Sequence, residues 1–70
     1  MIYINDKGQD VFVCRGLGAE PVYIIAYRNH ANSLGVHKVR GTTTYPSREA
    51  AKTALKGLAE RKGWKKKGED

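Results

Sequence analysis

The segment from Ser47 to Gly63 constrains the fold most, because it predicts a single helix whose buried face carries little side-chain volume. Apolar residues recur there at helical spacing, at Ala51, Ala54, Leu55, Leu58 and Ala59. Most of them are alanines, so a sheet that covers this face has to approach the helix closely. Gly57 is expected where the two backbones come nearest. The chain of 70 residues is short enough to be one domain.

Residues typical of helix termini stand at both ends of this predicted helix. Ser47 is a suitable N-cap, and Glu49 places a negative charge in the first turn, where the helix dipole favours it. Gly63 is expected at the C′ position after two basic residues. Trp64 would then fold back over Ala59, so we expect its ring to cover the helix end rather than to stack on bases.

The residues before the helix predict short strands. Met1–Asn5 and Asp10–Arg15 form a candidate hairpin with Gly8 in its turn, Val22–Arg28 is the strongest strand, and Val36–Arg40 is the fourth. An extension or restart at Thr42–Tyr45 is left open. The fold class is therefore α+β: a small antiparallel sheet of three to four strands with one C-terminal helix on one face, in the order β-β-β-β-α.

Residues 1–64 are expected to form this domain, and residues 65–70 a disordered tail. Loops are expected at Arg15–Pro21 and Asn29–Gly35. The sequence leaves open which sheet face the helix covers, because the face of Tyr23, Ile25 and Tyr27 and its opposite are both apolar. Tyr23 and Tyr27 fit core positions better than base-stacking ones.

Several function classes are excluded by what the sequence lacks. No apolar run reaches the roughly 18 residues of a membrane span, and the first residues do not resemble a secretory signal. A single cysteine forms no internal disulfide, which favours a reducing, cytoplasmic compartment. Cys14, His30 and His37 lack paired metal-ligand spacing, and Gly16-Leu17-Gly18 lacks the Lys-Ser/Thr of a phosphate loop. We expect no catalytic residue, metal, cofactor, membrane partner or small-molecule substrate.

Charge is distributed unevenly along the chain. Lys and Arg number 13 against 7 Asp and Glu, which gives a net charge of +6. Residues 28–67 carry eleven of these cations against Glu49 and Glu60, whereas residues 1–27 carry a net −1. Such asymmetry is typical of a chain that meets a polyanion, although a charge of this size also occurs in proteins whose lysines only add solubility.

The candidate binding residues are the cations of this basic part. Arg48, Lys52 and Lys56, at spacing i, i+4 and i+8, form what we call the helix ridge, where their mutual repulsion would be offset by phosphates. The run continues after the ridge through Arg61, Lys62, Lys65, Lys66 and Lys67. On the predicted sheet, Arg28, Lys38 and Arg40 are expected to form a basic outer face, since strict alternation points Lys38 and Arg40 the same way.

The predicted strand-to-helix junction resembles that of DNA-binding domains built from a three-stranded sheet and a helix, the AP2-type and integrase arm-binding domains. Its sequence is Gly41-Thr42-Thr43-Thr44-Tyr45-Pro46-Ser47-Arg48-Glu49-Ala50-Ala51. The resemblance covers about a quarter of the chain. It implies that the sheet enters the major groove, with Arg28, Lys38 and Arg40 on bases or phosphates. Ser47–Lys52 is also similar, more weakly, to the last helix of double-stranded-RNA-binding domains, which grips phosphates.

The sequence therefore predicts a small non-enzymatic nucleic-acid-binding protein, with duplex DNA favoured over RNA and a phage or mobile-element origin suggested by its size. The alternative is a protein-binding module, an inhibitor or adaptor that docks on an acidic partner. In that case an exposed edge strand at Met1–Asn5 would pair with a strand of the partner.

Overall fold

A computed structural model of the chain describes residues 1–16, 19, 22–28 and 35–68, so most of the two predicted loops, His30 and the last two residues lie outside it. The elements in chain order are β1 (Ile2–Ile4), β2 (Asp10–Arg15), β3 (Tyr23–Arg28), β4 (His37–Lys38), α1 (Arg48–Lys62) and β5 (Lys65–Gly68).

The five strands form one antiparallel sheet in the order β4-β3-β2-β1-β5, and α1 packs on one of its faces. The predicted α+β class is confirmed, with one strand more than expected. The hairpin of β1 and β2 turns at Gly8, whose φ of 77° lies in the left-handed region that glycine tolerates. Because β5 pairs with β1, the N-terminal strand is internal to the sheet and is not an edge.

The core lies between α1 and the face of the sheet that carries Tyr23, Ile25 and Tyr27, which settles the face that the sequence left open. Strand register places Val11 opposite Tyr27 and Val13 opposite Ile25, so these side chains share that face. The buried side chains of the core are Tyr3, Val11, Val13, Ile25, Ala51, Leu55 and Ala59. The alanines let α1 lie close to β2 and β3.

Both predicted helix ends are confirmed. The Ser47 hydroxyl oxygen accepts a hydrogen bond from the Ala50 amide at 3.1 Å. At the other end Gly63 has a φ of 73°, and the Trp64 amide donates to the Ala59 carbonyl at 2.9 Å, the long bond of a Schellman motif. The Trp64 ring is half-buried and packs against the core, as predicted.

The fourth strand is shorter than predicted, and it ends before Arg40. Only His37 and Lys38 pair as a strand, although the Val39 amide still donates to the Ile25 carbonyl. The chain then turns, because the amide and the hydroxyl of Thr42 both donate to the Val39 carbonyl. The restart predicted at Thr42–Tyr45 is reduced to one bridge between Tyr45 and Tyr23.

The expected disordered tail is a strand over most of its length. Lys65–Gly68 pair with β1, with Ile4 opposite Lys65 and Tyr3 opposite Lys66, and the register shifts between Ile2 and Tyr3. The left-handed Gly63 reverses the chain and lays the lysines along the edge of the sheet. An edge strand rich in lysine also resists pairing with other chains, which is a structural use of these charges.

Gly57 does not lie where the helix and sheet backbones meet. A Cβ added at Gly57 would have only the Arg61 guanidinium within van der Waals range, at 3.9 Å. We therefore expect Gly57→Ala to raise the free energy of unfolding by about 1 kcal/mol, the difference in helix propensity. The control is Gly63→Ala, which should lower it by about 1 kcal/mol because the site is left-handed. Urea unfolding measures both, and a destabilising Gly57→Ala would contradict the open environment.

Candidate nucleic-acid interface

All thirteen Lys and Arg residues lie in the described part of the chain, and every one except the half-buried Lys52 is exposed. The acidic residues described with them are Asp6, Asp10, Glu49 and Glu60. Asp10 is half-buried, and its carboxylate oxygens lie 3.0 and 3.2 Å from Lys67 Nζ. The described surface is therefore strongly positive, and the position of each cation decides what it can contact.

The helix ridge lies on one flank of α1. Arg48 begins the helix, and its guanidinium carbon lies 5.1 Å from the centre of the Tyr23 ring, so this cation is held over an aromatic face. Lys52 and Lys56 follow at one-turn intervals. The opposite flank is fixed independently, because Ala54, Leu58 and Arg61 line a cavity with Arg40 and Tyr45 near the β4 side of the sheet. Helical spacing thus places Lys52 and Lys56 on the flank of α1 that faces away from this cavity.

The three lysines of β5, which we call the lysine strand (Lys65, Lys66 and Lys67), stand along the edge of the sheet beside β1. Lys66 is opposite Tyr3 and therefore shares the helix-covered side of the sheet. Lys67 reaches Asp10 on the other side of the sheet. The lysines thus project to both sides of one edge.

Two of the three residues predicted for the basic sheet face, Arg28 and Lys38, lie on one face of the sheet. Arg28 is opposite Asp10 and Lys38 is opposite Ala26 in the sheet. The side chains of Arg28 and Lys38 therefore leave the sheet on the face opposite the helix. The Arg28 guanidinium carbon lies 5.5 Å from the centre of the Phe12 ring, and Lys38 Nζ donates to the Thr42 carbonyl at 2.6 Å. Arg40 does not join them, because the strand ends and Arg40 follows the turn to the helix side.

The centre of this open face is apolar. Alternation from the strand registers places Ile2, Ile4, Phe12, Cys14 and Ile24 there, all of them half-buried. The face is five strands wide, so its outermost strands stand about 19 Å apart. The major groove of B-DNA is about 12 Å wide. The geometry therefore favours contact along an edge of the sheet over insertion of the whole face into a groove.

Arg61 lies on the other flank of α1, and Lys62 lies at its end, where it lines a cavity together with Lys65 of the lysine strand. Arg61 lines the cavity that it shares with Arg40. Lys62 also borders a larger cleft of about 580 Å³ at the end of the helix, together with Arg40, Lys38 and the half-buried rings of Tyr27 and Trp64. Nothing local in the sequence predicts this cleft, because its residues come from four separate segments.

The surroundings of Cys14 do not activate its thiol as a nucleophile. Partial burial raises the pKa of its thiol above the ordinary value of 9.0, and the charge of Arg48 opposes that shift. The thiol is therefore protonated at neutral pH and is a weak nucleophile. Within the described ranges, no three His, Cys, Asp or Glu side chains are grouped so that they could hold a metal ion.

Comparisons with known proteins identify no family for this chain. In the described part of the chain, α1 is the helix to consider for the membrane, and it is too short and too polar to cross one. No protein-family model, curated protein or solved structure matches this chain.

Proposed function

We propose that this protein binds nucleic acid without catalysing a reaction, and that its ligand is duplex DNA rather than RNA. The observation that carries the proposal is the presence of two groups of surface cations, the helix ridge on one flank of α1 and the lysine strand along the β5 edge of the sheet. Besides Arg48, these groups supply five exposed or half-buried cations, namely Lys52, Lys56, Lys65, Lys66 and Lys67.

The proposed contact is with phosphates along the edge of the sheet. Lysine ammonium groups on flexible stems reach a phosphate backbone without a fixed geometry, and each contact releases counterions from the nucleic acid. Arg48 supplies a more rigid group at one end of the ridge, because its guanidinium is stacked on Tyr23. Binding of this kind depends little on base sequence, with Kd about 10⁻⁴–10⁻⁶ M at physiological salt.

The test is a titration of a blunt-ended fluorescent duplex, followed by anisotropy from low to high salt. We expect log K to fall linearly with log salt concentration, and Lys56→Gln to reduce the slope by about 0.9 and the affinity about fivefold at 0.15 M salt. The matched control is Arg15→Gln, which removes an exposed cation that belongs to neither the helix ridge nor the lysine strand. A salt-independent titration, or equal losses in the two variants, would reject the proposal.

A second function is favoured by the apolar open face. Its centre of Ile2, Ile4, Phe12 and Ile24 is bordered by cations at both sides, Arg28 and Lys38 at one and Lys65 and Lys67 at the other. This combination fits an acidic protein partner with an apolar strip of its own. Pairing with a strand at Met1–Asn5 is not a route to such a complex, because β5 already pairs with that strand. Recovery of a protein partner that survives nuclease treatment would favour this function.

A further inference from the structure

We infer that the cleft at the end of α1 binds one unpaired nucleotide, with the base against Trp64 and Tyr27 and the phosphate at its basic rim. This inference rests on the proposed nucleic-acid function and adds to it a second contact, at the end of α1 next to the start of the lysine strand. No local pattern in the sequence predicts a site for a nucleotide.

The inner walls of the cleft suit a base. Tyr27 and Trp64 are half-buried and line it together with Val39 and Leu58. The volume of about 580 Å³ falls in the range of sites that enclose small ligands. Base stacking on aromatic rings is tolerant of sequence, because every base has a π-face.

Contacts with the rest of the protein restrict both aromatic residues. Tyr27 also contacts His37, with ring centres 5.6 Å apart and planes tilted by 38°. Trp64 is held by its backbone bond to Ala59 in the helix cap. Two rings whose backbones are already fixed lose little freedom when a base arrives, so little of the binding energy is spent on ordering them.

The rim of the cleft suits a phosphate. Lys7, Lys38, Arg40 and Lys62 line it, against the single carboxylate of Asp6. Lys7 belongs to the β1–β2 turn, where the Asn5 side-chain oxygen accepts hydrogen bonds from the amides of Lys7 at 3.0 Å and Gln9 at 2.9 Å. The turn therefore presents its lysine from an ordered backbone. Arg40 adds a planar group that can bind phosphate through two hydrogen bonds.

The combination of rings and cations selects an unpaired nucleotide. Bases inside a duplex are stacked on both sides and are not available to the rings, whereas a strand end, a gap or a free nucleotide presents an open base face. A nucleotide within a strand and a free mononucleotide carry the same chemistry here, so the experiment separates these two sources.

Trp64 is the single tryptophan of the chain, so tryptophan fluorescence reports on the end of α1, where Trp64 lines this cleft and a neighbouring cavity with Lys65. The protein is titrated with AMP, with a ten-nucleotide oligo-dA strand and with a blunt duplex whose binding is followed in parallel by anisotropy, using free tryptophan amide to correct for absorbed light. We expect saturable quenching by AMP and by the strand, and little quenching by the duplex. Tighter binding of the strand identifies a nucleotide within a chain, and equal affinity per nucleotide identifies the free form.

Three variants test the assignment of residues. Lys62→Gln, at the exposed rim, should weaken quenching several-fold, whereas the equally exposed Arg15→Gln should leave it unchanged. Tyr27→Ala should weaken it about tenfold, provided that its thermal melt shows a folded protein. Duplex binding without saturable quenching by AMP or by the strand, or equal quenching in the Lys62 variant, overturns the inference and leaves the proposed function standing. Quenching without duplex binding overturns the proposed function instead and leaves the cleft assignment standing.

Discussion

Leu55→Ala is expected to lower the free energy of unfolding by about 2–5 kcal/mol, the usual cost of truncating a buried leucine. Leu55 is fully buried, and it is the one large side chain of α1 among the three largest fully buried residues of the described structure, the others being Ile25 and Val11. Its neighbours on the buried stripe, Ala51 and Ala59, are too small to fill the cavity that truncation leaves.

The effect is large relative to the total stability. A domain of this length has about 4–10 kcal/mol in all, so the variant loses a large fraction of it. Thermal unfolding followed by circular dichroism should show a midpoint at least 10 °C lower. Leu58→Ala is the matched control, because the same atoms are removed from a half-buried position on the same helix. Equal losses in the two variants would contradict the central position of Leu55.

The helix and most of the sheet could be predicted because their signals are local. Ser47 and Gly63 act through bonds within one turn of the helix, and the alternation of Val11, Val13 and Ile25 is set by neighbouring residues in each strand. The buried stripe of α1 follows from its period alone.

The remaining features depend on contacts between distant segments. Three lysines in a row have low strand propensity, and they form β5 because Gly63 directs the chain onto the free edge of β1. Arg40 leaves the sheet because two bonds from Thr42 close a turn at Val39, which alternation within the strand does not reveal. The cleft combines a hairpin turn, two strands and a helix end, so no single stretch of sequence encodes it.

Replacing the lysine strand with glutamines, as Lys65→Gln, Lys66→Gln and Lys67→Gln together, is expected to weaken duplex binding about 100-fold at 0.15 M salt. The reason is the loss of three phosphate contacts, each of which adds about 0.9 to the slope of log K against log salt concentration. Glutamine keeps much of the side-chain length and removes the charge. Anisotropy with the blunt duplex measures the slope, which should fall by about 2.7.

Folding has to be separated from binding in this variant. The ion pair of Lys67 with Asp10 is surface-exposed on the lysine side, and such pairs contribute at most about 1 kcal/mol, so the thermal midpoint should move by only a few degrees. The lysines also protect an exposed strand edge, and their loss would favour self-association through β5. Light scattering after size exclusion therefore accompanies the titration. A variant that self-associates but keeps the duplex affinity of the monomer would assign the lysines to edge protection and remove them from the interface.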